Sequence, residues 1–368
     1  MGTAETENRQ VRRMPTFENI VIRAGRKAIR LIRDEGLDTS RVKVLAGASG
    51  SAKFLVLSGI DRVLAAIFKN RETPVHTLGT SIGAYRMAAF CQENSLEALT
   101  VLQERYIAQQ YGKGTTREDI TRETMKIITA YIPEAAVQGI INNPVMRIGF
   151  LANRCKGLLK SENRLLQMAG LGLAAGCNGI TRNSLGLFFE RALFYNTHFN
   201  PPFAGMDQFP LSRYHLTPAN FKPALFSSGS IPVAMTGVSD IPGVTGMFRD
   251  GGIIDYHLDI PFLPDSDGLV LYPHFYDRIV PGWFDKKLNR NPTPAFMENV
   301  VLVAPSPDFV QRLPHKKIPD RTDFKTFYLR DKERIEYWIR TVDMSRVLGD
   351  EFAEAIESGQ IRQIVKPI

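Results

Sequence analysis

The feature that most constrains the fold is a strand, loop and helix unit that occurs twice in succession near the start of the chain. A β-branched and apolar run over residues 42–46 ends in a glycine- and serine-rich loop, and a helical pattern follows over residues 52–70. The second unit has a strand over residues 74–78, a tight turn over residues 79–83 and a helix over residues 84–93. Parallel strands need such crossover connections, so consecutive units of this kind predict an α/β fold with a mainly parallel sheet and helices on its faces.

The rest of the chain is interpreted around these two units. Residues 96–200 carry mainly helical patterns broken by Gly and Pro, which predicts a helical insertion. Short apolar runs over residues 224–227, 268–272 and 300–304 predict further buried strands. No internal repeat or low-complexity linker divides the sequence, so we expect one elaborated domain.

The two ends of the chain are predicted to be helical and charged. Residues 1–40 read as a basic N-terminal arm and a helix, whose apolar positions begin at Ile20 and continue to Ile32 between arginines and a lysine. Residues 331–368 read as a C-terminal helical tail packed on the main domain. The main domain then spans residues 41–330.

Composition limits the classes of partner and of site. Lys and Arg together number 46 against 38 Asp and Glu, a formal charge of +8 that favours anionic surfaces. No zinc-finger spacing or RNA-binding aromatic pattern accompanies this charge, so nucleic acid is not an expected partner. The cysteines, Cys91, Cys155 and Cys177, show no metal-ligand spacing, and no disulfide framework, metal or other cofactor is expected.

Two segments bear on location. The first thirty residues are polar, carry both charge signs and lack the apolar core of a Sec signal peptide. The longest apolar stretch, residues 165–180, contains four glycines and falls short of the roughly 20 apolar residues that a membrane span needs. We expect a cytoplasmic protein without a transmembrane helix, and peripheral contact with an anionic membrane.

The sharpest chemical signal lies in the turn of the second unit, which reads Gly79, Thr80, Ser81, Ile82 and Gly83. This GxSxG pattern stands directly between a predicted strand and a predicted helix. In a nucleophile elbow the serine occupies a strained turn, and the flanking glycines lack the Cβ atoms that would clash there. The free N–H groups of the following helix also favour developing negative charge. Ser81 is therefore the candidate nucleophile.

A second signal, 169 positions later, is an Asp-Gly-Gly turn formed by Asp250, Gly251 and Gly252. The two glycines let the turn present its carboxylate without side-chain crowding, as a base next to a serine hydroxyl requires. Alone, such a tripeptide is most often only a turn. Together with the elbow, it makes Asp250 the candidate base.

The loop over residues 47–52 allows two interpretations. A phosphate-binding P-loop would need glycine in place of Ala52 and a hydroxyl in place of Phe54, so a nucleotide site is disfavoured. Small residues also suit an oxyanion hole, in which backbone N–H groups stabilise a tetrahedral intermediate. We therefore predict an oxyanion hole at Ser49, Gly50 and Ser51, and expect Lys53 to bind a helix or a neighbouring acid.

In the order of these motifs, the sequence resembles the patatin-like phospholipases. Residues 49–53 fall on that family's Gly-Gly-Gly-Ala-Lys pattern, the GxSxG elbow follows one unit later, and Ser228 to Pro232 resembles the small-residue segment before the family's aspartate. The resemblance covers roughly residues 42–262. Ser49 and Ser51 replace family glycines, Phe54 also replaces a usual glycine, and Tyr256 and His257 stand where asparagine is more usual.

The resemblance implies a three-layer patatin-like fold and a catalytic domain over residues 41–330. It also implies a Ser81–Asp250 dyad that hydrolyses lipid or phospholipid esters through an acyl-enzyme, as a phospholipase A or lysophospholipase-like esterase does. A thioesterase or acyltransferase could use the same dyad. A catalytically silent lipid- or membrane-binding protein is the alternative outside enzymes, although it would need neither Ser81 nor Asp250.

A rival serine-hydrolase arrangement would add a histidine after the aspartate in chain order. His257, His274 and His315 all satisfy that order. His257 is close to Asp250 in sequence, and the other two lie in proline-flanked segments that look structural. We expect the dyad rather than the triad.

Overall fold

A computed structural model describes residues 17–264 and 266–368 of the chain. The strands of this part are β1 (Ile20–Ala24), β2 (Val42–Gly47), β3 (Val75–Thr80), β4 (Met146–Arg147), β5 (Gly149–Cys155), β6 (Phe189–Tyr195), β7 (Leu211–His215), β8 (Phe248–Arg249), β9 (Leu269–Pro273), β10 (Val300–Pro305) and β11 (Lys366–Pro367). The α-helices are α1 (Arg26–Glu35), α2 (Ser58–Lys69), α3 (Ile82–Phe90), α4 (Ser95–Ile107), α5 (Arg117–Tyr131), α6 (Glu134–Asn142), α7 (Arg164–Ile180), α8 (Pro218–Ser228), α9 (Pro307–Arg312), α10 (Asp323–Thr326), α11 (Asp331–Met344), α12 (Arg346–Glu357) and α13 (Ile361–Ile364).

These strands form one mixed, mostly parallel sheet with helices around it, which confirms the α/β class. The strand order is β11-β1-β10-β9-β2-β3-β5-β6-β7, with β4 beside β3 and β8 beside β5. Antiparallel pairing occurs between β1 and β10, between β5 and β6, and between β5 and β8. Strands β9 and β10 are buried along their whole length, as expected for strands covered on both faces.

The two predicted strand, loop and helix units are present. Strands β2 and β3 pair in parallel in the middle of the sheet, with Gly47 opposite Gly79 at their carboxyl ends. The first helical pattern begins as a 3-10 helix over Ser51–Leu57 and continues as α2. Since the carboxyl ends of both strands lie at the same edge, the two loops that follow them meet there.

The prediction that residues from Ile20 onward begin a helix is wrong. Residues Ile20–Ala24 form β1, which pairs antiparallel with β10, and the helix begins only at Arg26. Ile20, Ile22 and Ala24 are buried while Val21 and Arg23 are partly exposed, which is the period of two of a strand. Most of the predicted basic arm, residues 1–16, lies outside the described residues.

Two further expectations need correction. Residues 96–200 do contain helices α4 to α7, but they also contribute β4, β5 and β6 to the sheet, so this segment is not a purely helical insertion. Residues 224–227, predicted as a strand, belong to α8, which is buried over most of its length. A short run that is apolar on every side does not show by its period whether it is helix or strand.

The C-terminal tail is largely helical, as expected, and ends in a short strand. Helices α11, α12 and α13 are followed by β11, which pairs in parallel with β1 at the sheet edge. Within the described residues, no helix has both the length and the apolar character needed to cross a membrane.

Candidate active site

Ser81 stands at the turn between β3 and α3 in a conformation that L-residues rarely adopt. Its φ is +54° and its ψ is −128°, and such a conformation costs on the order of 1–3 kcal/mol. A Cβ built on Gly83 would lie 2.1 Å from the carbonyl oxygen of Gly47, and one on Gly79 would lie 2.5 Å from the amide nitrogen of Ala84. Gly83 is thus required because the two units touch through their backbones, and Gly79 because β3 and α3 of its own unit approach closely.

The structure brings Ser81 and Asp250 into direct contact. The Ser81 hydroxyl donates a hydrogen bond of 2.8 Å from Oγ to Oδ2 of Asp250. The other carboxylate oxygen, Oδ1, accepts a 2.7 Å hydrogen bond from the backbone N–H of Gly252. Both side chains are nearly buried, each residue being 8% exposed. A hydroxyl and a carboxylate that are 169 positions apart in sequence therefore meet at the carboxyl ends of the central strands.

The Asp250 turn is fixed by β5. Asn153 donates from Nδ2 to the carbonyl oxygens of Asp250 (2.7 Å) and of Gly251 (3.1 Å). A Cβ on Gly251 would lie 2.2 Å from the carbonyl oxygen of Leu151, so the turn sits directly against the strand. Sequence reasoning missed Asn153, because it lies within the segment interpreted as a helical insertion.

The loop over residues 47–52 reaches the same place, but its three candidate donors differ. The N–H of Ser49 donates to the carbonyl oxygen of Tyr256 at 3.0 Å, and its hydroxyl donates to Oγ1 of Thr80 at 2.9 Å. Ser49 thus holds the loop against the elbow, and its N–H is already occupied. For the N–H groups of Gly50 and Ser51, no hydrogen-bond acceptor is found in residues 17–264 and 266–368.

Burial dominates the electrostatics of Asp250. It raises the pKa of the carboxyl from 3.8 to about 6, against the opposing effects of the hydrogen bonds from Ser81 and Gly252 and of the cations Arg321 and Lys286. A carboxylate with a pKa of about 6 is still ionised at neutral pH and is a stronger proton acceptor than an ordinary aspartate.

A group of cations surrounds the loop and the dyad. Lys286 places Nζ 4.0 Å from the centre of the Tyr256 ring. Partial burial, followed by the nearby charges of Lys53 and Arg321, lowers the Lys286 pKa to about 7. Lys53 itself lies 4.0 Å from a carboxylate oxygen of Asp320, which agrees with the expected contact to a neighbouring acid. Sequence reasoning did not find Lys286 or Arg321, because neither belongs to a motif.

The histidines take no part in the contact between Ser81 and Asp250. His257 accepts a 2.8 Å hydrogen bond at Nδ1 from the N–H of Val280 and packs edge-on against His274. Burial lowers the pKa of His257 well below its usual value, so its ring is neutral. Neither these two rings nor His315 hydrogen-bonds to Ser81 or Asp250 in the described residues.

No family model matches this chain. A search of curated proteins also finds no significant match.

The chemistry that this arrangement permits follows from the contacts. A strained, nearly buried serine donates to a carboxylate of raised pKa, and two unoccupied N–H groups lie on the neighbouring loop. Such a set can form a covalent acyl intermediate and accept or return the hydroxyl proton. Sequence reasoning also missed the role of Ser228, which it treated only as the start of a small-residue segment. The Ser228 hydroxyl accepts a hydrogen bond from the N–H of Ser81.

Proposed function

We propose that the chain is a serine acyl hydrolase with Ser81 as nucleophile and Asp250 as base, acting on lipid esters. The observation that carries this proposal is the 2.8 Å hydrogen bond from the Ser81 hydroxyl to the Asp250 carboxylate at a strained turn. A binding protein has no need of a strained serine or of a nearly buried carboxylate, and both carry a cost in stability.

In the acylation step, Asp250 takes the proton of the Ser81 hydroxyl as Oγ attacks the ester carbonyl carbon. The resulting tetrahedral intermediate collapses, its bond to the alcohol oxygen breaks, and Asp250 returns the proton to the departing alcohol. In the second step, Asp250 takes a proton from water, which attacks the acyl-serine and releases the fatty acid while the proton returns to Ser81.

The N–H groups of Gly50 and Ser51 are the proposed donors to the oxyanion. They have no acceptor among the described residues and stand at the start of the 3-10 helix that follows β2. Each such donor is worth roughly 2.7–4 kcal/mol of transition-state stabilisation. Ser49, which was predicted as a third donor, is assigned instead to holding the loop through Tyr256 and Thr80.

The three-layer patatin-like arrangement is part of the same proposal. Two parallel units lie in the middle of the sheet, the second contains the GxSxG turn, and the Asp-Gly-Gly turn contacts that turn. This arrangement agrees with the order of motifs in that family. The dyad does not determine which leaving group departs from the acyl carbon, so a thioesterase could use it. It also does not determine which acceptor takes the acyl group, so an acyltransferase could use it as well.

The first test is covalent labelling of the wild-type chain with a fluorophosphonate, which reacts with activated serines. We expect labelling of the wild type and none of Ser81→Ala. Hydrolysis of a chromogenic fatty-acyl ester is then compared in both proteins and in Asp250→Asn and His257→Ala. Ser81→Ala is expected to lose activity by on the order of 10⁴-fold or more, and Asp250→Asn by on the order of 10³-fold.

His257→Ala separates the dyad from a triad. In the described part of the chain its ring hydrogen-bonds to neither Ser81 nor Asp250, so we expect hydrolysis to continue in this variant. Full activity in Ser81→Ala would reject the proposal. Labelling and hydrolysis that are both absent from a folded wild-type chain would instead favour the catalytically silent lipid-binding protein.

A further inference from the structure

Helix α7 has two contrasting faces. Its buried positions are Gln167, Gly170, Ala174 and Asn178, which recur at helical spacing. They are small or polar, and two of them make hydrogen bonds to neighbouring loops, at the N–H of Val233 and at the carboxylate of Asp285. The helix is therefore held to the domain by its less apolar face.

The opposite face is apolar and open to solvent. Leu165 is 75% exposed, Leu173 57% and Ile180 87%, and Leu166 and Met168 are also exposed, at 42% and 52%. Leu158 before the helix and Leu187 after it are exposed as well. Soluble proteins seldom expose so many large apolar side chains on one element unless that element meets a partner.

Cations predominate around this face, because Glu162 just before the helix is paired with Arg117 and Arg249. Between Arg164 and Glu190 the chain contains no acidic residue. Lys160 and Arg164 are exposed at the start of the helix. At the other end, Trp283 and Leu288 are exposed on the segment that Asp285 ties to Asn178, with Lys287 between them. Apolar side chains bordered by cations, with an exposed tryptophan, are typical of a helix that lies in a membrane interface.

Helix α7 packs close to the segment that follows Asp250. The buried side of α7 contributes Ala174 to a small apolar cluster that also contains Ile253 and Ile254, three and four positions after Asp250. The segment beside its C-terminal end carries Lys286, which packs on Tyr256 next to the residue 47–52 loop. A lipid surface in contact with α7 would therefore lie on the part of the domain that carries Asp250.

We propose that the outer face of α7, together with Trp283 and Leu288, docks the protein on an anionic phospholipid surface. The helix lies in the plane of the interface, with Leu165, Leu173 and Ile180 among the acyl chains and Lys160, Arg164 and Lys287 at the headgroups. The link between this surface and ester hydrolysis rests on the proposed function. The docking itself does not.

The test is sedimentation of Ser81→Ala protein with vesicles of phosphatidylcholine, alone or mixed with phosphatidylserine. The Ser81→Ala background prevents hydrolysis of the vesicles during the measurement, so the result is independent of catalysis. We expect binding to the mixed vesicles that weakens as salt is added. A triple variant in the same background should bind the mixed vesicles more weakly, by about tenfold or more. Its additional substitutions are Leu165→Gln, Leu173→Gln and Ile180→Gln.

The matched control makes the same change to exposed apolar residues elsewhere. Leu96, Tyr328 and Ile339 are exposed outside the α7 surface, and replacing all three by Gln should leave vesicle binding unchanged. Lys160→Gln with Arg164→Gln should reduce binding to phosphatidylserine vesicles and remove part of its salt dependence. Thermal melting confirms that each variant is folded.

Three results would overturn the proposal. One is that the Ser81→Ala protein, with its α7 surface unchanged, binds neither kind of vesicle. Another is equal binding by the α7 triple variant and its Ser81→Ala parent. The third is a difference in oligomeric state measured by light scattering, with a dimeric Ser81→Ala parent and a monomeric triple variant. The exposed face of α7 would then be an interface between copies of this chain.

Discussion

The hydroxyl of Ser228 accepts a 2.9 Å hydrogen bond from the backbone N–H of Ser81. Ser228 also donates from the same oxygen to the carbonyl of Leu151 at 2.7 Å. The C-terminal end of α8 is thus connected to the nucleophile turn and to β5 through one buried side chain. Without Ser228, the buried N–H of Ser81 would lose this acceptor. The strained turn at Ser81 would then also lose one of the hydrogen bonds that stabilise it.

We expect Ser228→Ala to lower kcat for ester hydrolysis by about tenfold, because the nucleophile shifts when its N–H loses its acceptor. The matched control is Ser227→Ala. Ser227 is equally buried and donates to the carbonyl of Ala224, but does not touch Ser81. Both variants should lose about 1 kcal/mol in the free energy of unfolding, and an equal loss of kcat in the control would assign Ser228 a general structural role.

We expect the pKa of Asp250 to set the pH dependence of the proposed ester hydrolysis. Only the carboxylate form can accept the Ser81 proton, and the pKa is raised to about 6, so kcat/KM should rise with pH through about 6 and then level off. Rate profiles from acidic to neutral pH measure this limb. An acid limb near the ordinary aspartate value of 3.8 would contradict the assignment.

The same raised pKa makes ionised Asp250 a cost to stability. Folding favours its protonated form, so stability is lost as pH rises from the unfolded value of 3.8 to the folded value of about 6. Asp250→Asn removes this ionisation and can still accept from the N–H of Gly252. We expect this inactive variant to gain on the order of 2 kcal/mol over wild type above pH 6, and no such gain below about pH 4. Denaturant unfolding at both pH values tests this.

Lys286 lowers the pKa of Asp250 through its positive charge. We therefore expect Lys286→Gln to move the acid limb of the kcat/KM profile to higher pH. Lys287→Gln is the matched control, because it removes a neighbouring charge that is not among the main influences on the pKa of Asp250. Identical shifts in the two variants would indicate a change in overall charge rather than a local interaction.

Two glycines, one at the contact between the two strand, loop and helix units and one in open space, are expected to respond oppositely to alanine substitution. Gly83→Ala would place a Cβ 2.1 Å from the carbonyl oxygen of Gly47, and should destabilise the fold by at least about 3 kcal/mol. Gly139→Ala lies in α6, where a Cβ meets nothing within 4 Å, and should stabilise it by about 0.5–1 kcal/mol. Denaturant unfolding compares the two, and a stable Gly83→Ala protein would show that the units do not meet as described.

The local sequence pattern was sufficient to predict strands where short apolar runs were bounded by turn residues. The runs that became β2, β3, β9 and β10 are short, apolar and bounded by turn residues, and all four are strands. The pattern failed at Ile20–Ala24, where near-helical spacing concealed an alternation of buried and partly exposed residues. It failed again at α8, because a short run buried on all sides has no period to distinguish helix from strand.

The sequence by itself determined the two units, the GxSxG turn and the presence of a distant Asp-Gly-Gly turn, because each depends on neighbouring residues whose backbone preferences are local. Only the tertiary structure decided that Ser81 reaches Asp250 directly, that Ser49 donates to Tyr256, and that Asn153 and Ser228 hold the two turns. These contacts join residues far apart in the chain, and they form only when β5 and α8 pack at the edge where β2 and β3 end. Burial raises the pKa of Asp250 for the same reason, since desolvation arises from the packed neighbours and not from the residues adjacent in sequence.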